Sequence, residues 1–163
     1  MQFKNFALFS LSVLIGLSLF TTSCKKSNNS SSSAALSATF RDTTFSSSSG
    51  IVAVYFKDNQ YWDIAGFAVK GGDSSGIEIE INSPVTVNSP ITANNGTYID
   101  YYHNGNDYYA AVGTGNTAMM VTSLDTVNHK ISGTFSGMLY NFGNGSDSSM
   151  MTNGKFNTTY LVQ

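Results

Sequence analysis

Two glutamates, two histidines, one cysteine and a hairpin rich in tyrosine carry most of the side-chain chemistry in this chain. Glu78 and Glu80 alternate with Ile77, Ile79 and Ile81, so on a strand both carboxylates point to one side. Glycoside hydrolysis uses two carboxylates about 5–10 Å apart, and this pair falls in that range. The same alternation describes the polar face of a half-buried strand, where both groups are solvated, and that reading is favoured. His103 and His129 both fall at expected turns. A zinc site would need both of them and carboxylates as well, and nothing in their spacing requires it. Asp100, Asn104, Asn106 and Asp107 offer oxygen ligands for calcium, but they lack the spacing of an EF-hand loop and match ordinary turn chemistry. Gly113, Gly115 and Ala118 have the spacing of a dinucleotide fingerprint. Met119-Met120-Val121-Thr122 follows, however, which reads as a strand where a phosphate site needs a helix start. No metal, no cofactor and no nucleophile–His–acid set emerges, so a non-enzymatic chain is expected.

Tyrosines are the strongest binding candidates. Tyr98, Tyr101, Tyr102, Tyr108 and Tyr109 flank the turn Asn104-Gly105-Asn106, and Tyr61 and Trp62 lie on a second hairpin. A rigid apolar ring with a polar tip suits stacking on a sugar or a partner loop. The alternative is cross-strand pairing of aromatics that stabilises the sheet. Strand parity sends half of these rings to each face. The expected ligand-binding residues are Tyr101 and Tyr108, as an outward platform, with Tyr61 and Trp62.

The elements that hold these residues read as strands throughout. No helical periodicity is sustained after residue 35. Strand signals recur at short intervals, as in an all-β sandwich or barrel. Residues 35–42 read as a first strand. Residues 51–57 and 60–70 pair through the turn Asp58-Asn59. Residues 76–82 alternate cleanly. Pro84 and Pro90 bracket an edge or loop. Residues 97–103 and 107–113 form the tyrosine hairpin, 117–125 and 130–141 a third hairpin, and 149–160 the last long strand. In 130–141 Ile131, Gly133, Phe135, Gly137 and Leu139 share one face, and Phe135 is expected to pack beside those glycines. The expectation is one antiparallel all-β domain of about 8–10 strands, either a sandwich or a flattened meander barrel.

Residues 36–163 form that domain, with five bases against ten acids and a net charge of −5. Without a basic cluster, neither nucleic acid nor an anionic lipid surface is an expected partner. Its single cysteine lies upstream, so packing alone must stabilise it. Lys4 precedes the apolar run of residues 7–20, which is shorter than the roughly 20 residues a bilayer span needs. Residues 1–23 therefore read as a signal peptide. Residues 24–35 are rich in serine and asparagine and read as a flexible tether.

Cys24 follows Thr21-Thr22-Ser23 and precedes Lys25-Lys26. This arrangement resembles a bacterial lipoprotein signal, and specifically the looser signals of Bacteroidota, although Thr21 stands where leucine is usual. The resemblance implies that Cys24 is the lipid attachment site. Buried acyl methylenes at about 0.8 kcal/mol each would then hold the chain to a membrane. Residues 121–125, Lys130-Ile131-Ser132-Gly133-Thr134-Phe135-Ser136 and Thr152-Asn153-Gly154-Lys155-Phe156-Asn157 look like the C-terminal signature of a family of small Bacteroidota lipoproteins that carries a domain of unknown function. That resemblance implies an all-β fold and a cell-envelope location, and brings no activity or site residues. The membrane expected for the lipid anchor is the outer one. The expected function is a lipid-anchored binding or accessory module for a glycan or an envelope protein. The alternatives are a structural or assembly lipoprotein without a ligand, and a glycan-active hydrolase.

Overall fold

The computed structural model describes residues 35–82, 84–91, 96–112 and 116–163. The signal segment, Cys24 and residues 24–34 of the tether lie outside the described residues. Twelve strands follow in order: β1 (Ala35–Phe40), β2 (Thr43–Ser47), β3 (Val52–Phe56), β4 (Tyr61–Lys70), β5 (Asp73–Asn82), β6 (Pro90–Ile91), β7 (Tyr98–His103), β8 (Asn106–Ala111), β9 (Ala118–Asp125), β10 (Lys130–Asn141), β11 (Ser148–Thr159) and β12 (Leu161–Val162). Among the described residues there is no helix. The count exceeds the expected 8–10 because β2, β6 and β12 are short strands whose composition does not separate them from loops. Ala35 already belongs to β1, so the tether ends one residue earlier than its composition suggests.

All twelve strands join one sheet, in the order β12-β3-β4-β5-β7-β8-β10-β11-β1-β2, with β9 beside β10 and β6 beside β9. Every pairing is antiparallel except β12 with β3. Of the two expected arrangements the barrel-like one is nearer: the sheet curls into a half-barrel. The curl brings β1 over β4, where the Leu36 side chain fills the space a Cβ on Gly66 would need, 2.9 Å from it. It also brings the Ser47 hydroxyl to the Phe67 carbonyl, 2.9 Å away.

One face of the sheet, the inner one, forms the core. Ile64 lies opposite Ile79, Ile79 opposite Ile99, and Ile77 opposite Tyr101, and all of these are buried. Phe40 and Phe45 reach them from β1 and β2, with ring centroids 4.9 and 6.4 Å from Tyr101. Across β10 and β11, Phe135 lies opposite Gly154 and Gly133 opposite Phe156. Each ring covers the glycine facing it: a Cβ would come within 2.3 Å of Phe156 at Gly133 and of the Phe135 carbonyl at Gly154. Phe135 is thus buried as expected, but its glycine is Gly154 across the ladder. Gly133 belongs to Phe156, and Gly137 lies under Thr117.

Turns close the strands with local chemistry. Asp125 accepts hydrogen bonds from the Val127 and Asn128 amides at 3.0 and 2.9 Å. The Asn128 side chain and amide are the main reasons its carboxyl titrates below the usual range. Asn104 and Gly105 take the left-handed backbone the tyrosine hairpin requires, at φ 48° and 83°.

Candidate functional site

The outer face of the sheet carries the unexplained chemistry. Because parity alternates, Trp62, Ile64, Ile77, Ile79, Ile99 and Tyr101 point inward, and Tyr61, Asp63, Glu78, Glu80, Tyr98 and Asp100 point outward. The register gathers the outward groups into two rows across the strands. In one, Glu78 of β5 lies opposite Asp100 of β7, Asp100 opposite Tyr109 of β8, and Tyr109 opposite Tyr140 of β10. In the other, Asp63 of β4 lies opposite Glu80, and Glu80 opposite Tyr98.

Four carboxylates therefore share one face with no base among them. Among the described residues the one ion pair, Arg41 with Asp147, lies elsewhere. That guanidinium caps Phe40 and Tyr108, 5.2 and 4.9 Å from their ring centres, and fixes the β1–β2 turn to the neighbouring loop. On the acidic face, burial and then Glu78 and Glu80 push the Asp63 carboxyl up to about 7. Burial, then Asp107 and Glu78, push Asp100 up to about 7, against a backbone hydrogen bond at Tyr101. Glu80 is also raised, by burial first, although the Asn82 amide donates to it at 3.3 Å. One oxygen each of Asp63 and Asp100 is buried without a hydrogen-bond partner. The four do not form a metal centre: among the described residues no set of three or more His, Cys, Asp or Glu converges for one.

Aromatic rings border the carboxylates. The Tyr98 hydroxyl donates to Glu78 at 3.0 Å, and burial followed by Glu78 raises its phenol strongly. Its ring lies 5.5 Å from that of Tyr109. Beyond Tyr109 the strands β8 and β10 separate, since they pair only through Tyr108–Asn141 and Tyr109–Tyr140. A groove of about 330 Å³ opens there, lined by Tyr109, Met138, Tyr140 and Phe142 among others. Tyr109, Tyr140 and Phe142 are 41, 51 and 86 % exposed.

The residues expected to bind fare differently. Tyr101 and Tyr108 are 2 and 5 % exposed, so neither presents a ring to solvent and the expected platform is corrected. The physical reason is register: Tyr101 lies opposite Ile77 and Tyr108, so the inward isoleucines carry both rings into the core. Trp62 is likewise buried, stacked on Tyr55 at 4.3 Å. Tyr61 does lie on the outer face, half-buried and stacked on Phe56 at 4.7 Å, and Glu80, Asp63 and Glu78 all add to the burial that raises its phenol. Glu78 and Glu80 are half-buried members of a four-carboxylate group rather than a freely solvated pair. Asp63, Asp100, Tyr109 and Tyr140 were legible only in part: alternation puts Tyr61 and Asp63 opposite Trp62 and Ile64, but which strands adjoin cannot be read from spacing.

A second concavity of about 350 Å³ lies where β2 faces the ends of β4 and β5, lined by His103, Tyr101, Ser75, Asp73 and Lys70 among others. Ser75 lies directly opposite His103. Asp73, however, accepts from the Asn104 amide at 2.8 Å, and the buried Nδ1 of His103 has no partner. The hydrogen bond that a catalytic imidazole would donate to an orienting acid is therefore missing. The two histidines stay apart, each stacked on a tyrosine: His103 on Tyr101 and His129 on Tyr160, at 6.1 and 5.3 Å. The Asn104 side chain is used on Asp73 and on the Ser74 N–H of β5, and the Asn106 amide on the turn itself. Residues 113–115 of the fingerprint-like stretch lie outside the described residues, and strand β9 follows them. No protein-family model, no curated protein and no solved structure matches this chain.

Proposed function

We propose that this chain is an exported, lipid-anchored protein of the cell envelope, tethered through Cys24, whose β domain is a non-enzymatic binding or accessory module acting through its outer face. The observation that carries this reading is the row Glu78, Asp100, Tyr109, Tyr140 with the apolar groove at its end. Folding alone accounts for little of it, since an exposed aromatic patch beside buried, unpaired carboxylate oxygens adds little to the stability of the isolated domain. The short apolar leader and the cysteine after it support export and anchoring.

Two experiments test the two halves. Cys24→Ala should release the protein from membranes and abolish metabolic acyl labelling; a wild type that is soluble and unlabelled would end the lipoprotein reading. A Tyr109→Ala, Tyr140→Ala double variant should lose wild-type signals on a glycan array or in pull-downs from envelope extract. Unchanged profiles for two equally folded proteins would favour the ligand-free structural role instead. A glycan-active hydrolase is the second reading, favoured by Asp63 and Asp100, which hold protons up to about pH 7 as a general acid must. Against it, the groove beside them is lined by residues such as Tyr109, Tyr140 and Phe142 and by none of the four carboxylates.

A further inference from the structure

The four carboxylates and the groove belong to one surface, and Tyr109 joins them. Its ring approaches Tyr98 on the acidic side and lines the groove on the other. A ligand that uses both halves must therefore carry charge at one end and apolar surface at the other. The sign of the charge is fixed by the face: Asp63, Glu78, Glu80 and Asp100, with Asp107 close enough to act on Asp100, and no lysine or arginine among them. Like charges held half-buried repel one another, and a cation set between them removes that repulsion.

Resting on the proposed binding role of this face, we infer that its partner is an extended protein segment with basic residues over Glu78, Glu80, Asp63 and Asp100 and an apolar side chain in the groove beside Tyr140. The spacing supports a peptide rather than a small cation. Three strand separations of about 4.8 Å lie between Glu78 and Tyr140, which about four or five extended residues span. Arginine fits the acidic end better than lysine. Its planar guanidinium stacks on a tyrosine ring while forking to a carboxylate, and Tyr98 and Tyr109 provide rings beside Glu78 and Asp100.

The test titrates the full chain into a fluorescent, end-blocked hexapeptide with two arginines at one end and a tryptophan at the other. A second peptide carries citrulline, the neutral isostere, in place of both arginines. The arginine peptide should bind, and the citrulline peptide should bind more weakly by about tenfold or more. Glu78→Gln with Glu80→Gln should reduce arginine-peptide binding by about the same factor, and Tyr109→Ala with Tyr140→Ala should weaken both peptides. Equal binding of the two peptides, insensitivity to the glutamine variant, or no binding of either peptide overturns the cationic inference. Where a neutral peptide or an oligosaccharide binds and the tyrosine variant abolishes it, the outer face survives as a binding surface and only the cationic partner falls. Where the arginine peptide binds and the tyrosine variant leaves it untouched, both readings fall.

Discussion

The two faces of this one sheet are made from similar residue types and behave in opposite ways. Tyr101 and Tyr108 sit inside, sealed by Phe40. Tyr98 and Tyr109, on the same two strands, sit outside against carboxylates. The inner face satisfies itself: isoleucines stack across β4, β5 and β7, and rings fill the space over glycines. The outer face leaves like charges unpaired and rings exposed. A side chain's role here is set by a shift of one residue, which the strand's period of two turns into a change of solvent.

The largest way to probe the contrast is on the inner face. Phe135→Ala should destabilise the domain by about 3–5 kcal/mol, because the ring is buried over Gly154 and little can collapse into its space. The urea midpoint reports it, and an unchanged midpoint would mean that this face is not the core. Tyr101→Ala should cost about 3 kcal/mol by the same logic. A much smaller loss would return Tyr101 to the outward platform that its sequence position suggested.

An intermediate effect, of opposite sign, is expected outside. Asp63 titrates near 7 in the folded chain against an ordinary 3.8, so between those values the folded state holds the proton that the unfolded state has released. Its contribution to stability is complete below about pH 4 and is lost as pH rises through 7. Asp63→Asn should therefore stabilise the protein at pH 8, by roughly 1–2 kcal/mol once water access and coupling to Glu78 and Glu80 are allowed for, and do little at pH 4. Thermal melts of both proteins across that range measure it. A variant equally destabilising at both pH values would mean that Asp63 makes a structural hydrogen bond instead.

This contrast was half legible in the sequence. Alternation in residues 76–82 marks Ile77, Ile79 and Ile81 as one face, and the turns Asp58-Asn59 and Asn104-Gly105 mark hairpins. Those signals are local, and the antiparallel all-β domain follows from them. Which face Tyr101 joins depends on its pairing with Ile77 of β5, 24 residues away in sequence, and no local pattern encodes it. The same is true of Asp63 meeting Glu80, of β1 closing onto β11 rather than β3, and of the fork at which β10 leaves β8 for β9. The outer site was missed because its four carboxylates come from three strands and only two of them are close in sequence.

The smallest expected effect is the sharpest test of what the outer face is for. Tyr109→Ala removes a ring that is 41 % exposed and whose main partner is Tyr98, at 5.5 Å. Cross-strand aromatic pairs contribute roughly 0.2–1 kcal/mol, so the loss of stability should stay below about 1 kcal/mol. Tyr109 lies opposite Asp100, and losing the ring also lets water reach that carboxyl. The Asp100 titration should then fall from about 7 toward its ordinary value, which carbon-detected NMR of the side chain follows directly. A small stability change with a clear fall in the Asp100 titration identifies Tyr109 as a wall of the acidic site that folding does not need. A loss as large as that of Tyr101→Ala would instead make the outer face a second core, one that has to be covered for the domain to be stable.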